Sequence, residues 1–224
     1  WAASWSYYTY RSMELAVLTW LVLEITNSPF QVALVSASRA APMFFLGLFA
    51  GSIADRFSKY SVMAIGQFLN ICAVIFISLL LFLDEAKPIP IYFAVGLTGF
   101  AWALDFIARR AYLASLFKGR SLTNAMSLDS GALISSNLTG PILGTALIRW
   151  FGFSGSYIGI AFLALLGFAL MLSLNRDQRT TLKGVNPLLA LSEAISTARA
   201  YKNVAAVVLL TAVFNIFAWP ITTQ

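Results

Sequence analysis

Histidine is absent from this sequence, and cysteine occurs only once, as Cys72. Without histidine, the chain lacks the side chain that most often serves as a general base or metal ligand near neutral pH. A lone cysteine forms neither an internal disulfide nor a cysteine metal cluster. We therefore expect no metal and no cofactor, and no nucleophile–base set supports an enzyme.

Charged residues are also scarce. They make up 11% of the 224 residues, whereas hydrophobic residues make up 59%, and the mean hydropathy is +0.80. Because a soluble domain carries about 25% charged residues, this composition indicates an integral membrane protein. The pI near 9.7 does not indicate nucleic-acid binding, because the basic residues lie between apolar stretches and form no dense cluster interleaved with aromatics.

Six apolar stretches are each long enough to cross a bilayer as a helix, and the start of a seventh follows. At about 1.5 Å per residue, each complete stretch reaches about 30 Å. Their apolar character runs all round the helix, which argues against the amphipathic helices of a soluble bundle. The stretches cover residues 2–25, 30–53, 62–83, 91–113, 123–148 and 154–174, and the seventh begins near residue 204.

This organisation predicts an all-α membrane protein with three parts. Residues 1–174 form a six-helix transmembrane bundle, 175–203 form a cytoplasmic linker, and 204–224 begin a second bundle. Asn186 followed by Pro187 indicates the start of a short amphipathic helix in the linker, and a plain flexible linker is the alternative. The chain lacks an initial methionine and ends in an apolar segment, so we expect it to be part of a longer protein.

Lysine and arginine are unevenly distributed between the two ends of the predicted spans. The connections between spans two and three, four and five, and six and seven contain eleven of them, whereas the opposite connections contain two. Positive residues favour the cytoplasmic side, so the first group is predicted to be cytoplasmic. That group is Arg56, Lys59, Arg109, Arg110, Lys118, Arg120, Arg176, Arg179, Lys183, Arg199 and Lys202; the other two are Lys87 and Arg149.

Charged residues inside the predicted spans are candidates for function, because a charge in the bilayer is costly unless it pairs or faces a water-filled cavity. Spans one, two, four and five contain them, whereas spans three and six contain none. A repeated three-helix unit whose third helix faces lipid would give this pattern. The charged residues are Arg11, Glu14, Arg39, Asp105 and Asp129.

Glu14 and Arg39 each lie about 15 Å from the outer end of their span, so we expect them to face each other near the midplane. In one interpretation Glu14 takes up a proton, while Arg11 and Arg39 attract an anionic or polar substrate. In the other, Glu14 forms a permanent ion pair with Arg39 or Arg11 that only holds helices together.

Two further acidic residues are assigned roles from their positions. Asp105 and Arg109 are four residues apart in span four, so a local ion pair is expected. Asp129 lies about two turns into span five, where it either makes a helix–helix hydrogen bond or faces the cavity.

The connection between spans two and three is short and basic, and reads Gly51-Ser52-Ile53-Ala54-Asp55-Arg56-Phe57-Ser58-Lys59. It resembles the loop between the second and third helices of the major facilitator superfamily of secondary transporters, whose pattern is Gly-x-Leu-Ala-Asp-Arg/Lys-x-Gly-Arg/Lys-Arg/Lys. Ser58 replaces the second glycine and Tyr60 the last basic residue. A generic basic turn at the cytoplasmic face is the alternative. The resemblance implies a cytoplasmic gate that contains Gly51, Asp55, Arg56, Lys59, Asp105 and Arg109.

Span five contains a second motif, Ser136-Asn137-Leu138-Thr139-Gly140-Pro141-Ile142-Leu143-Gly144-Thr145. Its Gly140, Pro141 and Gly144 resemble the antiporter signature of the same superfamily. The resemblance implies that the small residues contact a helix of the other half of the transporter and seal its outer side. Small-residue helix packing without an exchange function is the alternative.

The stretches at residues 20–29 and 122–128 resemble the branch of the superfamily that contains enterobactin exporters and macrolide-efflux proteins. This resemblance implies proton-coupled export of a small molecule, such as a drug or siderophore, across the bacterial cytoplasmic membrane by alternating access. The implied partners are the lipid bilayer, the substrate, protons and a missing C-terminal half. There are two alternatives. One is a symporter that imports a metabolite, which the Gly140-Pro141 signature disfavours, and the other is a non-transporting scaffold.

Overall fold

The described part of this protein is built from long helices. The computed structural model describes the backbone of residues 1–47 and 57–174, and the side chains of residues 1–42 and 57–174. Within these ranges the chain forms helices and no β-strand. They are α1 (Ala2–Thr26), α2 (Pro29–Gly47), α3 (Lys59–Phe82), α4 (Pro88–Leu116) and a helical stretch, Arg120–Leu172.

Gly152 divides the long final stretch. Its backbone angles, φ 67° and ψ −172°, are not helical, and glycine adopts such a conformation without steric cost. We therefore call residues 120–151 α5 and residues 153–172 α6. The break lies in the short gap between the fifth and sixth predicted spans.

Local signals set the other helix ends. Asn27, in the left-handed conformation, donates its backbone N–H to the Leu23 carbonyl and ends α1, and Pro29 begins α2 at once. Ser58 caps α3 by accepting a hydrogen bond from the Ser61 N–H, and Pro88 begins α4. Proline suits a first helical position because its missing N–H would have no partner there.

Three of the described helical stretches are long and apolar enough to cross a membrane: α3, α4 and Arg120–Leu172. The surface of the bundle carries large apolar side chains, such as Phe82, Phe93 and Ile158, each at least 66% exposed. An apolar exterior of this kind suits contact with acyl chains. The prediction of an all-helical membrane protein is thus confirmed for the described ranges, whereas the 3+3 arrangement of six spans stays a prediction.

Helix α1 lies in the middle of the described bundle. Its buried residues, which include Tyr7, Tyr10, Met13 and Val17, form the centre of the main hydrophobic core. It packs against α5 and α6, whereas α4 packs against α2 and α3. All described residues belong to the compact unit Trp1–Thr180, and the second unit, Thr181–Gln224, lies outside them.

Arg109, one of the eleven basic residues assigned to the cytoplasmic connections, lies in a different environment from the one predicted. Arg109 is inside α4, with its side chain only 4% exposed, and is paired with Asp105. A buried, neutralised arginine does not act as a loop charge, so the predicted cytoplasmic group loses one of its eleven members and keeps ten. The prediction that Arg109 lies in the connection after span four is wrong, whereas its side of the membrane stays a prediction, and the bias of ten to two keeps its direction.

Several predictions lie outside the described residues. They concern Gly51, Asp55 and Arg56 of the basic turn, and the two segments at 175–203 and 204–224.

Candidate functional site

The ion pair between Glu14 on α1 and Arg39 on α2 is the centre of the candidate site. Arg39 Nη2 donates to Glu14 Oε2 at 3.1 Å, and the side chains are 6% and 0% exposed respectively. The same nitrogen lies 3.5 Å from the backbone oxygen of Arg11. The predicted contact between Glu14 and Arg39 is therefore present, in the interior of the bundle.

Close packing of α2 on α4 positions Arg39. A Cβ atom at Gly99 of α4 would collide with the Arg39 carbonyl oxygen and lie 3.0 Å from its Cα. The two helices also meet near their N-terminal ends, where the Tyr92 hydroxyl donates to Gln31 Oε1 at 2.7 Å. A glycine at such a contact lets backbones approach closely, and the approach leaves the Arg39 guanidinium free to reach α1.

The Glu14–Arg39 pair is only partly satisfied. Glu14 Oε1, Arg39 Nε and Arg39 Nη1 are buried and have no hydrogen-bond partner within the described part of the chain. Buried polar atoms in native proteins are almost always hydrogen-bonded to protein or water. The pair therefore keeps unused capacity for a proton, a water molecule or a polar group of a ligand.

Arg11 lies beside this pair in a different environment. Its guanidinium carbon stacks 3.8 Å from the centroid of the Trp102 ring on α4, and the side chain is partly exposed. Among residues 1–42 and 57–174, no carboxylate forms an ion pair with it. One carboxylate and two guanidinium groups thus meet at this level, which gives the site a surplus positive charge.

Asp105 and Arg109 form a second, fully bonded centre on α4. Arg109 donates from Nε to Asp105 Oδ2 and from Nη2 to Oδ1, both at 2.9 Å. Gln67 of α3 also donates to Asp105 Oδ1 at 3.1 Å, and Arg109 Nη1 donates to Ser4 Oγ of α1 at 3.0 Å. The predicted local pair is present, and it also joins α1, α3 and α4.

Tyr8 links this centre to Asp129. The Tyr8 hydroxyl donates to Asp129 Oδ2 at 2.9 Å, and the Tyr8 ring lies 5.4 Å from the Arg109 guanidinium carbon. Asp129 Oδ1 is buried without a partner in the described ranges. Asp129 therefore makes the helix–helix hydrogen bond that was one of its two predicted roles.

The small residues of the α5 motif face α1 of the same bundle. A Cβ atom at Gly140 would lie 2.7 Å from Met13 N, and one at Gly144 would lie 3.0 Å from Val17 Cγ2. The expectation that these two glycines contact a helix of the other half is therefore wrong, because α1 already occupies that face. Pro141 lies inside α5, where it removes one backbone donor.

Four residues of these centres were not singled out from the sequence: Ser4, Tyr8, Gln67 and Trp102. Gln67 carried a usable signal, because an amide inside an otherwise apolar span is costly without a partner. Tyr8, Ser4 and Trp102 gave no such signal, because which way each side chain points depends on how the helix is rotated in the bundle.

Comparison with known proteins gives the following matches. A family model described as "Transmembrane secretion effector" matches residues 1–223. The "Uncharacterized MFS-type transporter YfiS" of Bacillus subtilis is 29% identical over 140 residues, which cover 61% of this chain and 32% of that protein. The "Synaptic vesicular amine transporter" of Mus musculus is 28% identical over 157 residues, 70% of this chain and 29% of that protein. The matched part spans about a third of the length of these curated relatives.

Proposed function

Because this chain belongs to the major facilitator superfamily of membrane transporters, we propose that it is part of a secondary transporter that exports a small molecule in exchange for protons. In this proposal residues 1–174 form one six-helix half, 175–203 form the cytoplasmic linker, and 204–224 begin the other half. The two halves rock around a site near the midplane. The substrate is a small molecule such as a drug or siderophore, and the membrane is the bacterial cytoplasmic membrane.

The partly satisfied Glu14–Arg39 pair is the observation that carries this proposal. A fully buried carboxylate inside a membrane bundle serves transport when it can exchange its partner for a proton. Here Glu14 has one oxygen bonded to Arg39 and the other without a partner in the described ranges. Proton uptake by Glu14 would release Arg39, and both groups face the interior of the bundle.

The family description also supports export, because the matching family model is described as "Transmembrane secretion effector". Two relatives are named as amine transporters, so cationic amines are one substrate class to be tested beside neutral and anionic molecules.

The cytoplasmic gate belongs to the same proposal. Asp105 and Arg109 are fully bonded to each other, to Gln67 and to Ser4, which makes them the fixed part of such a gate. We place the moving part in the turn that contains Asp55, through contacts with a helix of the other half.

Substitution of Glu14 tests the proton coupling. The full-length protein is expressed in cells, and the accumulation of anionic, neutral and cationic dyes is measured with and without a protonophore. We expect the wild type to lower accumulation of at least one dye class, the protonophore to abolish this effect, and Glu14→Gln to abolish it as well, because an amide cannot cycle a proton.

Glu24→Gln is the matched control. Glu24 lies on the same helix and is exposed, so its loss should leave export unchanged. Export by Glu14→Gln at the wild-type rate, together with lower stability, would show that the pair is purely structural.

A further inference from the structure

We propose that Arg11 is the residue that binds the anionic group of the transported molecule, and that the substrate is therefore an organic anion carrying a carboxylate or a similar group. This proposal rests on the proposed function in one respect: the bound anion is a transported substrate only if the protein is a transporter. Anion binding itself does not require transport and can be measured separately.

Arg11 differs from the other charged residues inside the predicted spans, because each of the others has an ion-pair or hydrogen-bond partner of its own. Glu14 is bonded to Arg39, Asp105 to Arg109, and Asp129 to Tyr8. Arg11 contacts an aromatic ring and, in the described ranges, no carboxylate. A guanidinium group is always charged, and a charge at this depth needs a counter-charge or water. The missing counter-charge is what a bound anion would supply.

The stack on Trp102 prepares Arg11 for this role. The Arg11 guanidinium carbon lies 3.8 Å from the centroid of the indole ring, and a planar guanidinium group that stacks on a ring can also give two parallel hydrogen bonds to a carboxylate. Arg11 Nε and Trp102 Nε1 are both buried without a hydrogen-bond partner in the described part of the chain. Two unused donors thus lie on the two stacked groups.

The depth of Arg11 argues against a lipid headgroup as the anion. Arg11 lies nine residues from the start of α1 and fifteen from its end, or about 14 Å and 22 Å along the helix axis. Headgroups lie outside a hydrocarbon core that is about 30 Å thick. A soluble anion that enters an aqueous path reaches this level, whereas a phosphate of the bilayer surface does not.

The test uses two dyes that share one ring system. Fluorescein is an anion and rhodamine 123 is a cation, and both report binding by fluorescence anisotropy to the purified full-length protein in detergent. We expect the wild type to bind fluorescein more tightly than rhodamine 123. Arg11→Gln should weaken fluorescein binding by about tenfold or more, because it removes a charge-assisted pair, and Arg11→Lys should weaken it less.

Arg110→Gln is the matched control, because Arg110 also stacks on a ring of α4, Phe106 at 4.3 Å, but is exposed. It should leave fluorescein binding unchanged. As a second measurement that needs no variant, benzoate should displace fluorescein from the wild type, and benzamide, its neutral counterpart, should not. Phosphatidylglycerol added in the same assay should not displace it either.

The inference is overturned if the wild type does not bind fluorescein, if Arg11→Gln binds it as the wild type does, or if benzamide or phosphatidylglycerol competes as well as benzoate. Failure of the proposed function gives a different result. In that case fluorescein binding still depends on Arg11, but cells that express the wild type accumulate every dye as control cells do.

Discussion

Three ion pairs among the described residues differ in burial and in bonding, and each supports a different expectation. Asp105–Arg109 is buried with both carboxylate oxygens bonded, and Glu14–Arg39 is buried with one oxygen unbonded. Glu85–Lys87 is exposed in the α3–α4 connection at 2.6 Å, where the hydrogen bond to Lys87 and its charge lower the pKa of Glu85. Burial and completeness of bonding, rather than distance, separate a structural pair from a functional one.

Loss of Asp105 should destabilise the protein strongly. Asp105→Asn leaves the buried Arg109 charge without its counter-charge, and breaking a buried pair from one side costs about 3–5 kcal/mol. We expect a large drop in the unfolding temperature of the full-length protein in detergent.

Glu85→Gln is the control for this prediction, since it removes one partner of an exposed pair and should leave the unfolding temperature unchanged. Equal effects of the two substitutions would contradict the view that Asp105 anchors α1, α3 and α4.

At the scale of single residues, the sequence predicted the position of a side chain along its helix better than the direction in which it points from the helix axis. The Glu14–Arg39 contact followed from counting residues along two spans, because rise per residue is constant in a helix. The contacts of Gln67 and Tyr8 depend on how α3 and α1 are rotated about their axes, and side chains all round these helices are too similar in polarity to fix that rotation. The partners of Asp105 and Asp129 on other helices therefore required the structure.

At the scale of helices, α1 and α5 pack closely along a line of small residues on α5. Ser136, Gly140 and Gly144 are four residues apart on α5 and run along α1 in the same direction, from Thr9 to Val17. The Thr9 and Ser136 hydroxyls are 3.0 Å apart and form a hydrogen bond. In a membrane, small residues and such hydrogen bonds replace the hydrophobic effect as the source of helix association.

Enlarging Gly140 should separate α1 from α5. In Gly140→Ala the new methyl group would lie 2.7 Å from both Met13 N and Ser12 Cβ, so the helices must shift, at a cost of about 1–3 kcal/mol. Stability in detergent should fall, and because Glu14 follows Met13 on α1, dye export should fall with it.

Gly131→Ala is the matched control on the same helix. Nothing lies within 4 Å of a Cβ atom at Gly131, and alanine is the better helix former by about 1 kcal/mol. This variant should be as stable as the wild type or slightly more so. If Gly140→Ala behaves in the same way, the close approach of the two helices has no energetic role.

Helix ends were predictable from the sequence, and the helix that packs on the small residues of α5 was not. Asn27, Pro29 and Pro88 act on the backbone within a few residues, so their effect does not depend on the rest of the fold. The motif at Gly140 and Gly144 correctly indicated close helix packing. It did not indicate which helix, because any neighbouring helix, in this half or another, fits a small-residue groove.

At the scale of the whole molecule, the two membrane faces of the described bundle differ in charge. The α3–α4 connection contains the exposed Lys87 beside Glu85, whereas Lys118 and Arg120 lie exposed where α4 meets α5. Exposed Trp20 on α1 and Trp150 on α5 lie near the ends of their helices that precede a predicted outer connection. Tryptophan favours the membrane–water interface, and lysine and arginine favour the cytoplasmic side.

This asymmetry predicts opposite accessibility for two exposed positions. In a Cys72→Ser background, which removes the exposed native cysteine, Glu85→Cys and Lys118→Cys are each tested with a membrane-impermeant maleimide. We expect E85C to react in intact cells and K118C to react only after the membrane is permeabilised, because α4 crosses the bilayer between them. The reverse pattern would invert the topology, and reaction of both variants in intact cells would mean that α4 does not span the membrane. Because Asp105 and Arg109 lie in the half of α4 that leads to Lys118, either result would also remove their proposed assignment to a cytoplasmic gate.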